Sequence, residues 1–192
     1  MPALVAPALP DDVLSRYTQP TLLAEGLLLR PWQPRDAGAV IGAFAAADIQ
    51  QWHMRRIDGH AEALDWIASW ACRWQANTDA SWAVTLPPDD RAFGYASLRT
   101  LLPAEATAQV SYWVLPTARG TGAAARAARA VTRWGFETLG LHRIYLTHSV
   151  ANVPSCRVAA QAGFPLEGTL RDYMLHADGW HDVHMHARLA AD

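Results

Sequence analysis

Arg119-Gly120-Thr121-Gly122-Ala123-Ala124 is the stretch whose residue types and spacing bear most directly on chemistry. It follows an apolar, strand-like run, Val110 to Leu115, and opens a long alanine-rich segment. Two glycines let the backbone turn where a helix begins, so amides gather at a helix N-terminus. Unpaired N–H groups and the helix dipole both favour negative charge there, which suits a diphosphate. Arg119 adds a full positive charge at the rim. A phosphorylated cofactor is therefore expected.

Gly120-x-Gly122-x-x-Ala125 also matches the dinucleotide fingerprint. That motif belongs after the first strand of its fold, with an acid closing the second strand. Here several strand-like runs come first, and the strand after the helix ends in Thr147-His148-Ser149 without a carboxylate. A P-loop needs a lysine on the phosphates; this chain has none, all sixteen of its Lys/Arg residues being arginine. Coenzyme A remains. The missing lysines reflect a GC-rich composition or, functionally, a protein that avoids acylating itself.

Other residues invite chemistry. Asn152 and Ser155 stand at the start of a short helix, where they can form a cap. Cys156 beside them has no obvious histidine partner, so a covalent intermediate on it is not expected. On one strand His184 and His186 share a face while His181 points to the other. No cysteine or acidic triad adjoins them in the sequence, so no metal is expected. Arg126, Arg129 and Arg133 form a helical stripe that reads as a solvated face, a site for the cofactor's 3′-phosphate or an RNA-facing patch. Trp66, Trp70 and Trp74 recur every fourth residue, as a core stripe or, with Trp52 and His53, an acceptor pocket.

The elements that position these residues are legible in outline. Residues 1–19 read as an arm, and 20–192 as one domain. Leu27 to Arg30 reads as a buried strand, Asp36 as the cap of a helix through Val40, Ile41 and Phe44, and Ala61 to Asn77 as a second helix. Ser81–Leu86, Phe93–Leu101 and Thr107–Leu115 are strand-like. A central helix spans Gly120 to Leu139, ending at Gly140. Arg143–His148 is a strand, Asn152–Ala162 a helix, and Phe164–Leu175 with Trp180–Leu189 a closing hairpin around Asp178-Gly179. The order predicts a mixed α/β sheet.

The bulk numbers agree with one globular domain. The 192 residues are 51% hydrophobic and 18% charged, with a formal charge of −2. That charge argues against a nucleic-acid partner, no apolar run suits a membrane, and two cysteines without a leader sequence fit the cytoplasm.

Tyr112-Trp113-Val114-x-Pro116-x-x-Arg119-Gly120-x-Gly122 resembles the acyl-CoA pyrophosphate loop of GNAT N-acetyltransferases. Asn152-x-x-Ser155-x-Arg157-Val158-Ala159, Ala162-Gly163-Phe164, Glu167-Gly168-x-x-Arg171 and Gly179-Trp180-x-Asp182-Val183 are similar to the RimJ/RimL branch, the ribosomal-protein N-terminal acetyltransferases. Together with looser matches from Leu27 onward, the resemblance covers residues 22 to 189. It implies a GNAT fold, a mostly antiparallel sheet flanked by helices and splayed between the family's fourth and fifth strands, here Thr107–Leu115 and Arg143–His148. It implies acetyl-CoA as co-substrate, held by backbone groups at Trp113 and Val114, by Arg119 and the amides of Gly120, Thr121, Gly122, Ala123 and Ala124, and by Asn152. Ser155 would protonate the leaving thiolate. Glutamates that relatives use as base are replaced by Gln109 and Met174, leaving Glu105 first among candidates, then Asp172 and Glu167, with His53 and His148 behind them. The acceptor implied is a primary amine, a peptide or protein N-terminus before a small molecule such as an antibiotic or polyamine. Succinyl-CoA as donor, a CoA-binding module without catalysis and, remotely, a Rossmann-type NAD binder are the alternatives. A homodimer is compatible with the family.

Overall fold

A computed structural model describes residues 4–192. Eight strands form one sheet: β1 (Leu22–Ala24), β2 (Leu27–Arg30), β3 (Ala80–Thr85), β4 (Gly94–Leu102), β5 (Thr107–Val114), β6 (Arg143–Ser149), β7 (Leu166–His176) and β8 (Gly179–Leu189). Their spatial order is β1-β2-β3-β4-β5-β6-β8-β7. Every neighbouring pair is antiparallel except β5 and β6, which run parallel. This is the mixed α/β sheet expected from the element order.

Helices α1 (Ala37–Ala45), α2 (Ala47–Gln50) and α3 (His60–Gln75) come between β2 and β3, α4 (Ala123–Trp134) joins β5 to β6, and α5 (Val153–Gln161) follows β6. The side-chain alternation of a strand sends one set of residues to each face. Ala96, Leu98, Ala108, Val110, Ile144 and Leu146 pack with α4 and α5, whereas Tyr95 and Trp113 join α1 and α3 on the other face. The tryptophan stripe divides accordingly: Trp70 lies in the second core, whereas Trp74 reaches the first and stacks 5.9 Å from Trp134.

The central helix is shorter than expected, because after Trp134 it passes into a π-turn over Gly135–Leu139. Gly135 explains the tight seat of that turn, since a Cβ there would lie 2.8 Å from Ile144 Cδ1 and 3.0 Å from Leu98 Cδ1. The segment read as an arm lies against the domain from Ala8 onward, where the N–H groups of Ala8 and Leu9 donate to Ala104 O and Pro103 O. Val13 and Leu14 are fully buried, and the backbone N–H groups of Leu14 and Ser15 donate to Asn77 Oδ1. Among the described residues no helix is long and apolar enough to cross a membrane.

Asp36 does not act as the expected side-chain cap of α1. Its carboxylate accepts from the Gln33 N–H and, at 2.7 and 2.9 Å, from both terminal nitrogens of Arg30. Arg30 is only 5% exposed, and a buried guanidinium must be paired, so it takes the carboxylate that a helix end would otherwise use. Its Nε donates to Asp90, which also pairs with exposed Arg35. This knot ties β2, α1 and the turn after β3 together. Arg30→Ala should cost about 3–5 kcal/mol in urea unfolding, and Arg35→Ala under about 1 kcal/mol. Equal small losses would show that the knot contributes little.

Candidate functional site

β5 and β6 pair only at Thr107↔Arg143, Ala108↔Ile144 and Gln109↔Tyr145. At the fork Gln109 Nε2 donates to Thr147 Oγ1 at 2.6 Å. Beyond it the strands diverge, so the splay falls between the two strands expected. Leu115 N–H donates to Phe93 O at 2.8 Å on the β4 side. By strand alternation, Trp113 also bonds toward β4, while the backbone groups of Val110, Tyr112 and Val114 face the gap. The backbone of Val114, expected to meet the cofactor, thus faces the gap. That of Trp113 does not: it is used by β4, and the Trp113 ring stacks 5.8 Å from Tyr95 on the opposite face.

The loop at the mouth of the gap is an open cradle. Gly120 and Gly122 have φ of +73° and +74°, and nothing lies within 4 Å of a Cβ built on either. The first α4 bond joins Arg126 N–H to Gly122 O, which leaves the amides of Ala123 and Ala124 free by helix geometry. Among the described residues none accepts a hydrogen bond from the N–H of Gly120, Thr121 or Gly122. The residues present thus fit a diphosphate. Arg119 is not a free charge at the rim, because Asp48 of α2 pairs with it and has its own carboxyl pKa lowered by that hydrogen bond. The arginine stripe is also tied down: Arg126 donates to Glu25 O, and Arg129 to the Glu25 carboxylate and Gln161 O.

Across the gap, Tyr112 Oη lies 2.8 Å from Ser155 Oγ and 3.2 Å from the Ser155 carbonyl. Burial pushes the Tyr112 phenol well above its ordinary pKa, so it stays protonated. Asn152 Oδ1 accepts the Ser155 N–H at 3.1 Å and caps α5. The sequence places Tyr112 in the loop motif without a role of its own, because its contact with Ser155 lies 43 positions away in the chain.

Glu105 is not part of this site. It lies in the turn before β5, seven positions ahead of Tyr112, and a strand rises about 3.3 Å per residue, which puts it about 20 Å away. Asp172 is exposed in the β7 bulge, its N–H donating to Asp182 Oδ1. Glu167 pairs with Arg143, which holds its carboxyl below the usual range. Met174 stands opposite His181 on β8. His181 Nδ1 lies 2.7 Å from Ser149 Oγ, and His181 Nε2 lies 2.9 Å from Asp178 Oδ1. The carboxylate can only accept, so Nε2–H donates and Nδ1 keeps a lone pair. His181, considered from the sequence only as a possible metal ligand, thus presents a ring nitrogen able to accept a proton beside Met174.

Trp52 meets His176 and His181 edge-on at 5.6 and 6.3 Å, and His53 packs 4.9 Å from Phe44. These rings form one wall beside the β7–β8 hairpin. On the α5 side, the fold gathers residues the sequence keeps apart: His148, His184, His186 and Cys156 bring ligand-type atoms within 4.8 Å of one another. His148 is thus buried against other histidines rather than poised as a base.

Burial, with Arg99 and His176 adding positive charge, lowers the His53 pKa from 6.5 to about 4. As pH falls the unfolded chain then binds this proton before the folded one does. The stability His53 confers is complete above about pH 6.5 and is lost as pH falls toward 4, by at most about 3 kcal/mol. Urea unfolding against pH should show a shallower acid loss in His53→Leu than in the parent; identical slopes would contradict the burial argument.

A model of the acetyltransferase (GNAT) domain matches residues 26–165. The uncharacterized N-acetyltransferase YoaA of Bacillus subtilis is 24% identical over 169 residues, covering 88% of this chain and 96% of that protein. The ribosomal-protein-serine acetyltransferase of Escherichia coli is 30% identical over 101 residues, 53% of this chain and 56% of that one. Among solved structures, Mycobacterium smegmatis RimJ in complex with CoA-disulfide superposes with a TM-score of 0.79 at 25% identity, covering 90% of this chain and 87% of that one. With the domain model spanning most of its length and relatives that are N-acetyltransferases, this chain belongs to the GNAT acetyltransferase family.

Proposed function

We propose that the protein transfers an acetyl group from acetyl-CoA to a primary amine of low pKa, first of all a peptide or protein N-terminal amine. The observation that carries this reading is the gap between β5 and β6. It runs from the amide cradle at Gly120–Ala124 to the Tyr112–Ser155 pair, with a ring-lined wall beyond. The diphosphate would sit on the cradle, and the pantetheine arm would satisfy the backbone groups of Val110, Tyr112 and Val114. One of those N–H groups would hold the oxyanion that forms when the amine attacks the thioester.

Direct attack makes the N–C bond and breaks the C–S bond. The thiolate takes its proton from Ser155, whose hydroxyl is replenished through Tyr112 or solvent. The proton lost by the amine passes to His181 Nδ1, directly or through Ser149, with Asp178 fixing the ring. The wall residues that remain as candidate bases are imidazoles rather than carboxylates. An α-amine of pKa near 8 is roughly 10% neutral at pH 7, against about 0.04% for a lysine side chain, so a weaker base suffices.

Thiol release from acetyl-CoA and succinyl-CoA, assayed across N-terminal peptides, lysine peptides and small amines, tests the reading directly. N-terminal peptides with acetyl-CoA should turn over fastest. Coenzyme A binding without release from any pair would favour a module without catalysis. Gly122→Val should weaken CoA binding at least tenfold in calorimetry, because it strains a positive φ and fills the cradle; unchanged affinity would remove the loop from the site. Ser155→Ala should lower kcat about 10²-fold with little change in KM, and His181→Ala should lower kcat about 10²-fold as well.

A further inference from the structure

We propose that His148, His184, His186 and Cys156 form a binding site for one zinc-class divalent cation, clamping α5 to β6 and β8 beside the gap. The argument begins with the tautomers. His148 Nδ1 lies 2.8 Å from the Ser149 carbonyl, and His186 Nδ1 lies 3.1 Å from the Phe164 carbonyl. A carbonyl oxygen only accepts, so both Nδ1 atoms carry the proton and both neutral rings present an Nε2 lone pair. Those two Nε2 atoms are 3.2 Å apart, with the rings centred 5.2 Å from each other. Two acceptors at hydrogen-bond distance repel unless a cation or an extra proton lies between them.

The spacing favours the metal ion. Two imidazoles bound to zinc at about 2.05 Å and at the tetrahedral angle have nitrogens about 3.3 Å apart and ring centres about 5.2 Å apart. The third ring, His184, is centred 5.4 Å from His148 and 6.0 Å from His186, and its buried Nδ1 has no hydrogen-bond partner. Cys156 completes the set, with all four ligand atoms within 4.8 Å of one another. Three imidazoles and one thiolate are a four-coordinate zinc donor set. The carbonyls of Ser149 and Phe164 supply the outer contacts that orient metal-bound histidines.

The ligands come from three elements: β6, β8 and α5. Cys156 is the neighbour of Ser155, so the ion would hold the α5 N-terminus, and with it the Ser155–Tyr112 pair, against the sheet. Binding releases the thiol proton, so affinity should rise with pH.

The test uses the full chain freed of any affinity tag and stripped with a chelator, then titrated with cobalt(II) and zinc salts. The parent should bind one equivalent with a dissociation constant of about micromolar or tighter. It should show the intense visible bands of tetrahedral cobalt and a near-ultraviolet thiolate charge-transfer band, and zinc should raise its melting temperature. Cys156→Ser, nearly isosteric, should keep the fold by circular dichroism, lose the charge-transfer band and bind at least tenfold more weakly. His184→Ala should also bind at least tenfold more weakly and lose the zinc-dependent rise in melting temperature. A weak octahedral cobalt spectrum, or affinity unchanged in both variants, would assign the binding to surface histidines such as His60 and His142 and overturn the proposal.

Discussion

One strand edge left open governs the rest of the molecule. β5 and β6 pair at only three positions, and past Gln109 the backbone groups of Val110, Tyr112 and Val114 have no strand to meet. Unpaired peptide groups in a protein interior are costly, each by about 1–3 kcal/mol if left dry. They must therefore be hydrated or joined by a ligand that supplies amide-like donors and acceptors. The parallel pairing contributes to this arrangement, because it requires a crossover, and the crossover is α4. The helix that joins the diverging strands thus brings its N-terminal amides to the mouth of the gap between them.

Around this gap the two faces of the sheet are built for different tasks. On one, alanines of α4 let the helix lie close to the strands, and Tyr112, Ser155 and the histidine–cysteine cluster follow along α5. On the other, Trp32, Trp66, Trp70, Tyr95 and Trp113 form a rigid aromatic layer under α1 and α3. The Arg30–Asp36–Asp90 knot anchors that second layer by its start, and the Arg119–Asp48 pair fastens α2 to the glycine loop. At the cradle the rim arginine, Arg119, is paired with Asp48, which leaves backbone amides as its principal positive feature.

Much of this was legible in the residues. Glycines before an alanine-rich helix, strand-like runs and the order of motifs were enough to reach the family and the sheet, and the position of the splay was what the resemblance implied. Each such signal is local, set by spacing along a few turns or strand repeats. The readings that failed were those requiring a partner. Asp36 looks like a helix cap until Arg30 claims it, Arg119 looks free until Asp48 pairs with it, and Trp113 looks like a cofactor contact until the register with Tyr95 turns its backbone away. Glu105 is an acid just before β5 in sequence, yet strand direction puts it at the end away from the gap.

The sequence by itself determined most of the elements, their order and the glycine turn that opens α4, because propensity, periodicity and glycine placement act over a few residues. Only the tertiary structure decided which polar groups meet. Tyr112 reaches Ser155 across 43 positions, and Ser149 reaches His181 across 32. The same long-range packing gathers His148 and Cys156 with His184 and His186. Such encounters depend on strand register and helix seating, which are settled by the whole core at once and leave no pattern in any one stretch of chain.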